Sequence, residues 1–417
     1  QGMPKAIADR LHGYYINGGK GNFDGFARTL AAHWAGQTQA AVLTAAPDPF
    51  VFPESAVYHP KAPRQIFSTP AEYFRWRGID VSRRPPVVAI AFHQASIGAE
   101  QMALIDDLVR RVEQGGAIAL PYYAPVMGKH ESMLVVGEQT VADIVINTQI
   151  VLEPEGRRKE LAKLGIPVVQ ALAYRKGDEA AWRADPQGVP LIDVPFYLAQ
   201  SEYAGMTDAV VVGAVTASGD IAPIPAQASA LVNKALNQVR LQRLSNGEKK
   251  VAFVFWNYPP GEKNLSASYL NVTRSLETML KAMKAQGYDV APAEESVIIS
   301  KLQRLLAPFY RDGKLESLLD DGLAARLPIS TYKAWFSTLP AEVQRDVNER
   351  WGDVANASTV MREKGESFFV IPRLQTGKII ITPQAPRGGQ DLGDKEKALY
   401  HDTKSAPSHF YLAQYLW

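Results

Sequence analysis

The sequence predicts a multidomain α/β protein built on parallel sheets, and three observations carry that prediction. From Pro85 onward, short apolar β-prone runs alternate with helical segments, which is the pattern of a parallel sheet covered on both faces. Several runs, such as Val87-Val-Ala-Ile-Ala-Phe92, are continuously apolar, as strands buried on both sides are. The length of 417 residues corresponds to roughly two to four domains, and 46% hydrophobic content is enough for real cores.

Taken in order, residues 1–83 mix an amphipathic segment, 23–34, with Pro-rich irregular chain such as Ala46-Pro-Asp-Pro-Phe-Val-Phe-Pro53, and are expected to wrap another domain. The first α/β domain is placed at 84–248. It opens with a strand over 87–92, then a helix over about 100–114 with Met102, Ile105, Leu108, Val109 and Val112 on one face and Gly115-Gly116 as its stop. Strands over 117–122, 143–146 and 166–171 and a charged helix over 156–164 follow. Residues 176–248 read as a polar insertion, a helix over 226–244 and a turn-rich link. The second α/β domain, 249–417, begins with a strand over 250–256 of the kind buried in a parallel sheet. In the helix after it, Val272, Leu276, Leu280 and Met283 share one face, Lys281 and Lys284 suit the negative end of the dipole, and Gly287 stops it in the left-handed region. Helices over 297–306, 315–323 and 340–351 precede paired β-prone runs at 367–371 and 378–382.

Composition removes several function classes. The 45 basic and 43 acidic residues leave a net charge of +2, and no Lys/Arg run is interleaved with aromatics, which argues against a general nucleic-acid role. No apolar stretch approaches membrane-spanning length. With no cysteine there is no disulfide, thiolate ligand or cysteine nucleophile. Gly-x-Gly-x-x-Gly is missing after the first strand, and neither a Walker motif nor a solenoid-length repeat is present. Gln1 is not an initiator methionine and nothing near it reads as a signal peptide.

The richest stretch runs from Tyr258-Pro-Pro-Gly-Glu-Lys-Asn264 through Ala267-Ser-Tyr-Leu-Asn-Val272 to Ser275-Leu276, followed by Gly287-Tyr-Asp-Val290. It joins strand to helix through a loop rich in backbone donors. It resembles the large subunits of ATP-dependent tetrapyrrole metal chelatases, the cobaltochelatase large subunit and the magnesium chelatase H subunit. Further blocks of the same pattern stand in the expected order: Tyr15-Ile-Asn-Gly-Gly-Lys-Gly-Asn22, Ala56-Val-Tyr-His-Pro60, Pro167 to Gln170, Tyr332 to Gly352, Gln384-Ala-Pro-Arg-Gly388, and Tyr400-His-Asp-Thr403 through to Trp417. The resemblance covers nearly the whole chain.

That resemblance implies a cobaltochelatase-like protein, with a haem dechelatase or a magnesium chelatase H subunit as the alternative. Cobaltochelatases dedicated to cobalamin synthesis usually carry a Gly-Leu-Asp-Thr-Pro-like segment where this chain has Ala267-Ser-Tyr-Leu-Asn-Val272, so the metal and direction of transfer stay open. It implies a tetrapyrrole substrate, a divalent metal (cobalt, alternatively iron or magnesium), and ATP hydrolysed on an AAA+ motor partner with its adaptor subunit. A cytoplasmic location is implied, or a periplasmic one for the dechelatase branch. The family places a Gly-Thr-His-Gly...Glu motif just beyond the position of Trp417, so the chain reads as a fragment. A second reading treats it as a docking scaffold for the motor subunits.

Candidate site residues follow from chemistry weighed against plain structural roles. His401 and His409, in the last block, are the catalytic candidates, because a neutral imidazole accepts a pyrrole proton or holds an incoming metal. The competing reading is that they bond neighbouring loops. His93 ends the first strand at the carboxyl edge where open sheets place ligands. Arg274 and Arg387 suit bidentate pairing with the carboxylates that fringe a tetrapyrrole. Asn264, Tyr269 and Asn271 complete the substrate-binding candidates of the signature loop. Gly18, Gly19 and Gly21 around Lys20 suggest a backbone nest for an anion. No metal-ligand set is assigned.

Overall fold

A computed structural model describes residues 2–62, 65–257, 261–310, 315–357, 360–385 and 406–417. The chain forms two compact units, Gln1–Arg243 and Leu244–Trp417.

The first unit is built on an eight-stranded sheet. Its centre consists of five parallel strands: Val87–Phe92, Ile118–Tyr123, Ile144–Asn147, Val168–Tyr174 and Met206–Val215. Counted along the chain, their spatial order is 2-1-3-4-5, the flavodoxin-type arrangement of a doubly wound sheet. Antiparallel additions close the two edges: Ile221–Pro223 on one side, Ala56–Tyr58 and then Ile66–Phe67 on the other. Alternation along Val87–Phe92 explains the burial of both faces. Val88, Ile90 and Phe92 pack with Leu104, Leu108 and Leu231 from helices Ala103–Gln114 and Pro225–Arg243. Val87, Ala89 and Ala91 pack on the other side with Tyr73, Phe74 and Leu134. At roughly 1.5–3 kcal/mol per fully buried large apolar side chain, these two layers dominate the stability of the unit.

Two sequence expectations change here. Residues 1–83 belong to the first unit, because Ala56–Tyr58 pairs with Ile118–Tyr123 and extends its sheet. Residues 176–248 are not just a polar insertion with a helix, since Met206–Val215 forms the fifth parallel strand and pairs with Val168–Tyr174. Thr207, Asp208 and Ala209 near its start are exposed, which hid the apolar run that follows them.

The predicted anion nest is used up internally. Gly18 and Gly19 take positive φ, but the Gly19 amide donates to the Gly98 carbonyl and the Lys20 amide to the Glu100 carboxylate. A Cβ on Gly18 would lie 2.2 Å from the Gly98 oxygen, so the glycine permits this close approach of two backbones.

In the second unit, Val251–Phe255 pairs in parallel with Ile379–Pro383, which pairs antiparallel with Leu374–Thr376. A second three-stranded sheet has the order Ala324–Pro328, Glu366–Pro372, Val360–Glu363. Helices Val272–Ala285 and Glu295–Tyr310 bury Leu276, Leu280, Ile298, Leu302 and Leu305 in one core. The expectation of a fully buried first strand is corrected: Val251–Phe255 lies at the edge of its sheet, with Ala252 and Val254 exposed.

Candidate functional site

Open doubly wound sheets bind ligands beyond the carboxyl ends of their strands, where the strand order reverses. Here the reversal falls between Val87–Phe92 and Ile144–Asn147. A cleft of about 430 Å³ opens at that place, within the range of small-molecule sites, roughly 300–1,000 Å³. His93, Thr148 and Arg175, each just after a parallel strand, line it together with Gln101, Gln149 and Tyr197. Leu104, Ile105, Ile150 and Leu172 supply apolar wall.

Each polar residue has an identifiable support. His93 caps the short helix Gln94–Gly98, its Nδ1 accepting from the Ala95 amide at 3.1 Å, which leaves Nε2 to carry the proton of the neutral ring. Thr148 Oγ1 donates to the Ala91 carbonyl at 2.8 Å. Arg175 donates to the Tyr197 hydroxyl at 3.2 Å. Beneath them lies a buried amide network. Gln149 Nε2 donates to the carbonyls of Phe92 (2.6 Å) and Ala124 (3.1 Å), while Asn147 Nδ2 donates to Gln170 Oε1 and to the Gln149 carbonyl. Such a satisfied network fixes the strand ends, because leaving any member unpaired costs about 1–3 kcal/mol.

Beside this network is a second polar cluster. His130 Nδ1 meets the Tyr122 hydroxyl at 3.0 Å, and Arg157 ties the carbonyls of Val126 and Gly128 to Glu160, whose carboxylate accepts from the amides of His130 and Glu131. Burial lowers the His130 pKa to about 3, so its ring stays neutral and structural. A larger hollow of about 880 Å³ lies at the opposite end of Val87–Phe92, but Arg243, one of the two arginines lining it, is already paired with Asp143 and with the carbonyls of Arg84 and Pro85.

In the second unit the signature folds as a tight hairpin, Ser266–Ala267 with Leu270–Asn271, leading into helix Val272–Ala285. Tyr269 sits at its turn, fully exposed. Asn271 is the helix N-cap, its side-chain oxygen accepting from the Arg274 amide at 2.9 Å. Asn264 Oδ1 accepts from Ser266 Oγ at 2.7 Å. Arg274 is ion-paired with Glu277 at 3.2 Å and Glu295 at 3.6 Å. Lys281 and Arg274 hold the Glu277 carboxyl below the ordinary carboxylate range. The expectation that Arg274 awaits a ligand carboxylate therefore changes, since two protein carboxylates already neutralise it.

His409 opens the last helix, His409–Leu416, and is buried. Its Nδ1 lies 2.8 Å from the Tyr332 hydroxyl and its Nε2 2.9 Å from the Gly352 carbonyl, so Nε2 donates and Nδ1 accepts. Burial pushes its pKa down. In this arrangement neither nitrogen is open to a metal or a pyrrole proton, and the ring acts as a latch between three segments. His401 and Arg387 lie outside the described residues. Among the described residues, no group of three or more His, Asp or Glu side chains is placed to hold a metal ion.

A family model described as CobN/Magnesium Chelatase matches residues 12–417. The chain belongs to this family. The magnesium-chelatase H subunit of Rhodobacter capsulatus is 26% identical over 97% of the chain and 34% of its own length. The aerobic cobaltochelatase CobN of Pseudomonas aeruginosa is 26% identical over 100% of the chain and 33% of its own length. The fold of the catalytic subunit of cobaltochelatase from Mycobacterium tuberculosis superposes with a TM-score of 0.76 at 24% identity, over 99% of this chain and 33% of that one. The chain thus spans about a third of these relatives.

Within this CobN/magnesium chelatase chain, the blocks that carry the resemblance fall into architectural roles. His59 of Ala56-Val-Tyr-His-Pro60 is buried, its Nε2 3.2 Å from Glu113 and its Nδ1 accepting from the Lys61 amide. Gln170 of the Pro167–Gln170 block belongs to the amide floor of the cleft. Of the predicted site residues among the described ones, only His93 enters the cleft. Sequence reasoning missed Arg175, Thr148 and Tyr197. A signal existed for Arg175, because Tyr174-Arg-Lys-Gly177 follows a predicted strand as His93 does, on the same edge of a parallel sheet.

Proposed function

We propose that this chain is part of the large, tetrapyrrole-binding subunit of an ATP-dependent metal chelatase, most like cobaltochelatase, with the magnesium chelatase H subunit or a haem dechelatase as the alternative. The observation that carries the reading is the end-to-end match, residues 12–417, to a family whose named relatives act on magnesium and on cobalt. On this reading the chain holds a macrocycle so that its pyrrole nitrogens meet the incoming metal, which is substrate. ATP is hydrolysed on an AAA+ motor subunit that works with its adaptor, in keeping with the missing Walker motif. The protein works in the cytoplasm, or in the periplasm for the dechelatase branch; no described helix is long and apolar enough to cross a membrane.

Titration of tryptophan fluorescence with a corrinoid precursor, protoporphyrin and haem tests this. Saturable, selective quenching by one of the three supports the reading and chooses the branch. Absence of quenching by all three overturns it for this chain. A docking-scaffold reading draws on the exposed Val254, Trp256, Tyr269 and Leu270 around the signature, since exposed large apolar side chains suit a protein partner. Capture of the motor subunit without tetrapyrrole binding would favour it.

A further inference from the structure

We infer that the cleft at the strand-order reversal of the first unit takes a carboxylate carried on an apolar organic body, with Arg175 as the residue that pairs with that carboxylate. This rests on the tetrapyrrole reading above and assigns one edge of the macrocycle to named residues.

The charge of the cleft is the first ground. Arg175 brings a positive charge to it, and among the described residues no aspartate or glutamate lines it. The second ground is the state of Arg175. Arg77, Arg111, Arg157, Arg243 and Arg274 are each paired with a carboxylate, whereas Arg175 makes no ion pair among the described residues and donates only to the Tyr197 hydroxyl. Guanidinium is a fork of five donors, so one bond to a neutral hydroxyl leaves it matched to a bidentate acceptor.

Position is the third ground. Arg175, His93 and Thr148 follow three parallel strands on one sheet edge, so they converge on one opening. The floor cannot shift to compete for Arg175, since the amides of Asn147, Gln149 and Gln170 are bonded to one another and to strand carbonyls. Apolar wall from Leu104, Ile105, Ile150 and Leu172 would cover the hydrocarbon part of the ligand. A small inorganic anion would leave that wall wet, and a neutral apolar ligand would cover the guanidinium of Arg175, which is exposed in the free protein, without pairing it. An anion on an apolar body satisfies both.

The test compares wild type, Arg175→Gln and Arg175→Lys. Each is titrated with a corrinoid precursor, protoporphyrin and haem, as free acids and as methyl esters. We expect the acid form to bind wild type about tenfold or more tightly than the ester, since a charge-assisted pair is lost on esterification. Arg175→Gln should abolish that preference by weakening the acid alone, and Arg175→Lys should restore part of it. Unchanged acid binding by Arg175→Gln overturns the inference while leaving the tetrapyrrole reading intact. Equal weakening of acid and ester also overturns it, marking Arg175 as structural. If no macrocycle binds wild type, the reading and the inference both fall. Unfolding midpoints of the variants, expected to match wild type, show that the fold is kept.

Discussion

The carboxyl edge of the first unit and the hairpin–helix junction of the second are similar in sequence and opposite in structure. Both are polar turns after a short apolar strand, and both carry residues suited to a carboxylated ligand. In that junction those residues are spent on the protein itself: Asn271 caps a helix and Arg274 is paired with two carboxylates; elsewhere in the second unit His409 likewise bridges Tyr332 and Gly352. In the first unit the buried amides beneath the edge do the structural work, which leaves His93 and Arg175 facing an open cleft. A residue type therefore names a possible chemistry, and its hydrogen-bond partners decide whether that chemistry is available.

The strongest challenge to this contrast is His409→Ala. It should destabilise the second unit by about 3 kcal/mol, because it leaves a buried hydroxyl and a carbonyl unpaired and opens a cavity. Urea denaturation would show it, and a stable variant would mean that His409 is spare for chemistry.

Counted per pH unit, acid comes next in size. His130 and His409 have pKa values pushed below the ordinary value of 6.5 by burial, so the unfolded chain binds protons that the folded chain refuses. Their contribution is fully present above pH 6.5 and is lost as pH falls, for His130 until about pH 3. For His130 the expected loss approaches about 1.4 kcal/mol per pH unit within that window. His130→Asn should make the pH dependence of the unfolding midpoint shallower; an unchanged slope would contradict the assignment.

Asn271→Ala removes an N-cap and should cost about 1 kcal/mol, read as a lower urea midpoint. A change within measurement error would free Asn271 for a ligand role. Smallest of all, Tyr269→Ala at an exposed hairpin turn should alter stability by less than about 0.5 kcal/mol. If it nevertheless weakened macrocycle quenching, the signature hairpin would regain its place as a binding element and the contrast between the units would narrow.

Local periodicity made much of the fold legible. The strand over 87–92, the helix face of Ile105, Leu108, Val109 and Val112, and the helix after Asn271 appear as expected. Met206–Val215 was hidden by the exposed Thr207 and Asp208 near its start, and the edge position of Val251–Phe255 by an apolar run that looks the same in a central strand. His93 was found by a local rule, the end of a parallel strand. Arg175 obeys the same rule but was passed over, and Tyr197 was not legible locally, since it meets Arg175 through a bond across 22 residues of chain.

By itself the sequence determined the α/β class, most elements and, through ordered motifs spread from one end to the other, the family. Those properties rest on short-range patterns of polarity and spacing that survive in one dimension. Only the tertiary structure decided that the parallel order is 2-1-3-4-5, that the reversal opens a cleft beside His93, and that Arg175 rather than Arg274 is left without a protein carboxylate. Availability depends on partners brought together by strand pairing, and a pairing order is a long-range choice that no local pattern encodes.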